Sequence, residues 1–382
     1  MNDDHMINVE HEHTNWLSAE SDAAALIMRQ RLVPIEGPGA IIFPPTYPME
    51  QDKAGYNIDR FDDRSSVCQI DSVGSQANRM EPIFKRERYK HLVPQVVIAA
   101  NDRNIHILDA GHRAADAIVR FSTLGPRLHE AFRAYQAEGD AVPLARIAPT
   151  SIVFGSWDSR ATQAKLPRIV RSVIRAYNVN VLRRSAQYST IAGEILEGDD
   201  GDAEVTTKGP KAELGLAHVP AVHTHGGIEV LGEIRRDAIL NLSTLRMLAG
   251  PAERGDILKL RRYIFGLALV CFTAPMEPFL REGCELVPDP DQGAVWKLVK
   301  YDGTRTDLIV SHDQALAIAT TAAAAFGVKA EVSGKFEPGI AKKVLALNDS
   351  DRKKLLRHGP ITQEAIEGLG KKRSRAKDSD QI

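Results

Sequence analysis

The sequence predicts an α+β chain, and three observations carry that reading. Short apolar runs bounded by turn residues, as in residues 92–108, read as strands. Longer stretches with apolar residues at helical spacing, as in residues 253–274, read as helices. The two kinds mix at irregular intervals, without the regular strand–helix alternation of a doubly wound sheet. No internal repeat is visible. At 382 residues the chain suits two average domains, or one domain with large insertions.

Taken in order, residues 1–24 are polar, acidic and His-containing, and are expected to be flexible in part. The Gly- and Pro-rich stretch 37–48 reads as a loop. "QIDSVGSQANRMEP" (69–82) has the layout of a strand end, a glycine turn and a helix start. Residues 92–108 predict a hairpin around Asn101, Asp102, Arg103 and Asn104. A helix is expected from Gly111, with Ala114, Ala115, Ile118, Val119 and Phe121 on its apolar face. "SIVF" (151–154) reads as a short strand ending in "GSWDSR", and residues 165–179 as a helix. Residues 194–204 hold six acids and no base, which predicts a solvated loop. Residues 235–251 read as an amphipathic helix presenting Ile239, Leu242 and Leu245, ended by Gly250 and Pro251. Residues 314–327 form a small-residue helix able to pack closely. The tail from Gly370 is basic, then polar, and reads as disordered.

Composition narrows the function classes. The hydrophobic content of 43% is enough for a sizeable core. The net charge is −1, so a nucleic-acid partner must be met by local patches and not by a global field. Cys68, Cys271 and Cys284 show no CxxC spacing and read as buried free thiols in a reducing compartment. The start has no secretory pattern, and the longest apolar run (263–275) is too short to span a bilayer. A cytoplasmic protein is expected. No phosphate-binding lysine loop, dinucleotide fingerprint, serine elbow or zinc-protease helix is present.

The strongest chemical signal is basic. Arg160, Lys165, Arg168, Arg171, Arg175, Arg183 and Arg184 follow one another with no acid between them beyond Arg160. On a helix, Arg168, Arg171 and Arg175 would share one side, leaving Val170, Val173, Ile174 and Tyr177 for the core. Guanidiniums in a row suit phosphate oxygens, which accept forked hydrogen bonds; the bland alternative is a solvated face paired with acids elsewhere. At the turn, free N–H groups of a helix start make an anion site aided by the helix dipole. Gly74 would let a ligand approach, and Arg79 would lie one turn on; the alternative is that Ser72 or Ser75 merely caps the helix. "DAGHRAADAIVRF" brings Asp109, His112 and Asp116 close in sequence. With a single histidine and Arg113 beside it, a structural or RNA-contacting role is favoured over metal binding. His218, His223 and His225 are the best metal candidates, although no acid or cysteine lies within that cluster.

These residues meet in one family. "IDSVGSQANRMEP", "LDAGHRAADAIVRFS", "FGSWDSRATQAKLPRIVRSVIRAYNV", "RRSAQY" and "GEIRRDAILNLSTLRML" occur in order. Together they resemble the backbone RAMP subunit of the CRISPR type I-G (formerly I-U) Cascade surveillance complex, over roughly residues 31–330. The resemblance implies a ferredoxin-like, RRM-related RAMP palm with inserted finger and thumb elements. Residues 1–30 would be a flexible segment, 31–330 the palm with a candidate thumb at about 195–230, and 331–382 a C-terminal helical segment with a basic disordered tail.

The resemblance also implies a non-catalytic role. Several copies would stack along the spacer of a CRISPR RNA (crRNA), in contact with the Cascade large subunit and the handle-binding, processing subunit. Target DNA would be met through the guide, and no cofactor or membrane is implied. The residues expected at the RNA are Ser75, Gln76, Asn78 and Arg79 at the helix start, and Arg160, Lys165, Arg168 and Arg171 as backbone clamps. Arg175, Arg183 and Arg184 extend the basic segment, and Arg113, Arg235 and Arg236 are further contacts. Two rival readings stay open: a metal-dependent endoribonuclease using His218, His223 and His225, and a scaffold whose arginines pair with an acidic protein.

Overall fold

The computed structural model describes residues 7–49, 54–197, 203–250 and 254–369. The fold is α+β, built on one large, mostly antiparallel sheet with helices on one face. Its four central strands are β1 (Ala23–Pro34), β3 (Val170–Tyr177), β6 (Ile234–Asn241) and β7 (Val295–Lys300), ordered β7-β1-β6-β3. Each pairs antiparallel with its neighbour. Counting these four in chain order as 1 to 4, the spatial order is 4-1-3-2, that of a ferredoxin-like sheet. Strand β2 (Ser66–Asp71) extends the sheet beyond β3, and short strands continue both edges.

Alternation along the strands separates two faces. Leu26, Met28, Leu32, Ile174, Ala176, Ile234, Ala238, Leu240, Trp296 and Leu298 are buried on the covered face. Helix α1 (Val73–Met80) follows β2 directly and packs there beside α2 (Arg254–Thr273). Helix α3 (His312–Phe326) lies against α2, as the small-residue pattern predicted. A Cβ at Gly266 would sit 2.7 Å from the Ala319 Cα, so only glycine allows that approach.

An extended hairpin interrupts the sheet between β3 and β6. Strand β4 (Val179–Tyr188) leaves β3 after Asn178 and pairs with β5 (Val219–Val230), which returns to β6. Residues 191–197 and 210–213 form short helices beyond its end. The expected thumb at 195–230 thus takes in β5 and the tip; its partner strand β4 starts at Val179.

Several local expectations are corrected. Residues 165–179 are not a helix but contain β3, and residues 235–251 hold β6 followed by one helical turn, Leu242–Arg246. "SIVF" is part of the helical turn Thr150–Val153, where Pro149 precedes and full burial outweighs β-branched propensity. The stretch after Gly111 forms only short turns at Arg113–Ala115 and Ala117–Arg120. Residues 194–197 of the acidic region end the helix Ile191–Glu197, and 198–202 lie outside the described residues. Within the segment expected to be flexible, Val9–Trp16 is helical with Val9 and Trp16 buried. The hairpin at 92–108 is present as Gln95–Ala100 and Arg103–His106. The basic run of the tail lies outside the described residues.

All three cysteines are free and buried. Burial pushes Cys68 up to about 12 and Cys284 up to about 11, and raises Cys271 further, so none is a reactive thiolate at neutral pH. Among the described residues, no helix is long and apolar enough to cross a membrane.

Candidate nucleic-acid interface

A groove of about 510 Å³ opens where the loop before β3 meets the turns after the 92–108 hairpin. Its walls include His112, Arg113, Gly155, Trp157, Lys165 and Arg168. The loop is a miniature hairpin, Ser156–Trp157 paired with Lys165–Leu166. Buried Asp158 staples it: its carboxylate accepts from the Thr162 N–H at 2.9 Å, the Thr162 hydroxyl at 2.8 Å and Arg120 Nη2 at 2.9 Å. With its backbone fixed, the loop can hold an exposed indole. The Trp157 side chain is 57% exposed, and the Lys165 ammonium lies 5.7 Å from its ring centre.

Gly155 sets the groove's floor. Its φ is +76°, and a Cβ there would meet the Arg168 Cγ at 2.9 Å and the Leu166 carbonyl at 3.0 Å. Glycine is thus required for both conformation and space. Gly155→Ala should displace Arg168 and weaken polyanion binding more than it alters the core. Nucleic-acid titration beside a denaturant melt checks this.

Arg168 joins the groove to the helix start, its Nη1 donating to the Val73 carbonyl at 3.4 Å. Arg168 is exposed, although partial burial lowers its pKa. Ser72 caps α1, its hydroxyl accepting from the Ser75 N–H at 3.2 Å. Asn78 is exposed and Ser75 half-buried. Gly74 is not needed for close packing, since a Cβ there would meet nothing nearer than Ser72 Oγ at 3.9 Å.

Four of the expected contacts are turned inward or spent on the protein itself. Buried Gln76 donates to Asp71 at 2.7 Å and accepts from Ser172 Oγ at 2.8 Å. Arg79 binds Asp71 at 3.1 Å and the Leu280 carbonyl at 2.7 Å. Arg113 is buried against Glu81 at 2.7 Å and lies over the Phe154 ring. Arg236 is 2% exposed and bonds Ser172 Oγ at 3.1 Å and the carbonyls of Cys271 and Phe272 at 3.4 Å. Sequence alone shows which side chains flank a turn, not that β3 and β6 cross beneath it.

The other basic residues remain accessible, except that Arg235 is half-buried and bonded to Glu233, Asp237 and the Tyr177 hydroxyl. Arg160 and Lys165 are exposed at the groove loop. Arg171 and Arg175 lie on the open face of β3, with Arg235 beside them on β6. Arg183 and Arg184 are exposed on β4, opposite His225 and Thr224. Trp157 was missed as a site residue. The available signal was an aromatic set among basic residues in a turn.

The histidines do not gather. His218 Nδ1 accepts from the Thr190 N–H at 3.1 Å with Glu194 at 3.5 Å, and His225 Nε2 reaches the Ala54 carbonyl at 3.0 Å. Among the described residues, no group of three His, Cys, Asp or Glu side chains is placed to hold a metal ion. The Asp116 carboxylate accepts from the Ile118 and His112 N–H groups, and Asp109 pairs with Lys85 at 2.5 Å.

Glu81, behind the groove wall, has a pH consequence. Burial pushes its carboxyl up to about 7, against the opposing pull of Arg113. A raised carboxyl pKa means the folded chain holds this proton more tightly than the unfolded one. Stability from this group is therefore present below about pH 4.5 and lost as pH rises to about 7. Glu81→Gln should flatten that part of the stability–pH curve, which denaturant melts at about pH 5 and about pH 7.5 compare directly with wild type.

Residues 26–181 match the family model described as CRISPR-associated protein GSU0053. The match supports a CRISPR-associated role. It covers under half of the chain, taking in most of β1, then β2, α1, the groove loop, β3 and the start of β4. No curated protein matches the sequence.

Proposed function

We propose that the chain is the non-catalytic crRNA-binding backbone subunit of a type I-G Cascade, several copies of which line up along the spacer of the guide. The observation that carries this is the groove, lined by an exposed tryptophan with Lys165 and Arg168 next to a helix start, and with Arg160 exposed on the same loop. Such a pairing grips single-stranded nucleic acid without reading it. Every base offers a face to the indole, and the cations meet phosphates whatever the sequence. The arginine-bearing hairpin β4–β5 is the counterpart of a thumb in this reading. The large subunit, the handle-binding subunit and the target DNA are its partners.

Fluorescence anisotropy with two RNAs of unrelated spacer sequence, titrated across salt concentrations, tests the reading. Affinities should agree within a few-fold and fall steeply with salt. Arg168→Ala should weaken both RNAs alike and lower the magnitude of the slope by about 0.7 per phosphate released. Strong dependence on sequence, or binding indifferent to salt, would contradict it.

A further inference from the structure

The open face of the central sheet carries a second basic surface, on the side away from α1. Register places Arg175 of β3 directly opposite Arg235 of β6, and Arg235 directly opposite Arg31 of β1. One step along, Arg29 faces Asp237. Arg171 sits two steps further on the same face, opposite Ile239. Five guanidiniums thus project from three adjacent strands about 4.8 Å apart.

Like charges directly opposite across strands destabilise a sheet. The carboxylates present offset this only in part. Asp237 alone serves three arginines: Arg235 at 2.9 Å, Arg29 at 3.6 Å and Arg175 at 4.0 Å. Arg235 also holds Glu233 at 2.5 Å, and Arg31 holds Asp289 at 3.3 Å. Arg171 is exposed and lies beside the apolar Ile239 and Ile27. The Arg235 guanidinium carbon lies 4.6 Å from the Tyr177 ring centre, and the Tyr177 hydroxyl accepts from Arg235 Nη2 at 2.9 Å, which fixes that fork.

We propose that this face binds the phosphodiester backbone of nucleic acid, as a track separate from the groove. The inference rests on the proposed RNA-binding role but adds Arg29 and Arg31, which that role did not assign. Its charge is excess positive in a chain of net charge −1. It consists of arginines, whose planar forks match phosphate oxygens, and it is spread over a flat, three-strand-wide surface that suits an extended polyanion. The phosphates come either from the strand held in the groove or from a second strand paired with it.

The test is the double variant Arg29→Ala/Arg31→Ala, measured against single-stranded RNA and against an RNA–DNA hybrid. Both side chains are partly exposed and leave the groove intact. Loss of about tenfold or more in affinity on both probes, with a shallower salt slope, supports the face and assigns the phosphates to the groove strand. The same loss on the hybrid alone supports it and assigns them to the second strand. Unchanged affinity and slope on both probes overturns it. Altered self-association of the RNA-free protein by sedimentation, with RNA binding intact, also overturns it, in favour of an acidic protein surface as the partner. Trp157→Ala run in parallel separates the two failures: if it too leaves binding unchanged, the RNA-binding reading falls as well.

Discussion

Arg236→Ala should lower the free energy of unfolding by about 2–4 kcal/mol, since each buried carbonyl left unsatisfied costs about 1–3 kcal/mol. The side chain is 2% exposed and has no carboxylate partner among its hydrogen bonds. Its counter-charge is the C-terminal end of α2, where the Cys271 and Phe272 carbonyls lack helical partners and face the guanidinium. Desolvation lowers its pKa only to about 10, so the group stays charged at neutral pH. Truncation would orphan both carbonyls, break the bond to Ser172 Oγ and leave a cavity beside Met80. From Ser172 the network continues through Gln76 to Asp71 and Arg79, so the loss should reach the start of α1. Arg236→Lys should recover little, because one ammonium cannot span donors that point at α2 and β3 together. Urea melts of the two variants check this. A loss below about 1 kcal/mol for alanine would mean that the network is not a support of the sheet–helix junction.

Trp157→Ala should weaken RNA binding by about ten- to a hundredfold, the effect of removing a stack worth about 1–3 kcal/mol. It should barely change stability, since the indole is more than half exposed and Asp158 holds the loop without it. Trp157→Phe should retain most of the affinity, and the loss should be equal for unrelated RNA sequences. Tryptophan fluorescence alone is ambiguous, because Trp16 and Trp296 also report; the affinity difference between the alanine and phenylalanine variants is the informative quantity.

The sequence was legible where one local rule agreed with the tertiary outcome. The turn at Ser72, the hairpin at 92–108, the helix to Thr273 and the alanine-rich helix all follow from caps, turns and periodicity. It misled at β6 for a physical reason. The covered face of that strand reads Ile234, Arg236, Ala238, Leu240, and the buried arginine breaks the apolar alternation that marks a strand. Ile239, Leu242 and Leu245 then imitate a helix across a real strand–helix boundary. At β3, Arg168, Arg171 and Arg175 have helical spacing, yet Arg171 and Arg175 also share one face of a strand. The same cations are therefore gathered by a different geometry. The candidate site was legible in its charge but not in its arrangement. Nothing local says that Gln76 and Arg236 meet across Ser172, or that Arg31 comes into register with Arg235 and Arg29 with Asp237.

The most direct measurement is nuclease protection. The protein would be expressed with a CRISPR array and its handle-processing partner, purified and treated with RNase, and the surviving RNA sized. A backbone subunit predicts protected fragments that lengthen in equal steps, one step for each added copy. A single short fragment, or no RNA at all in a protein whose absorbance shows none bound, would contradict it and leave the arginines to another partner.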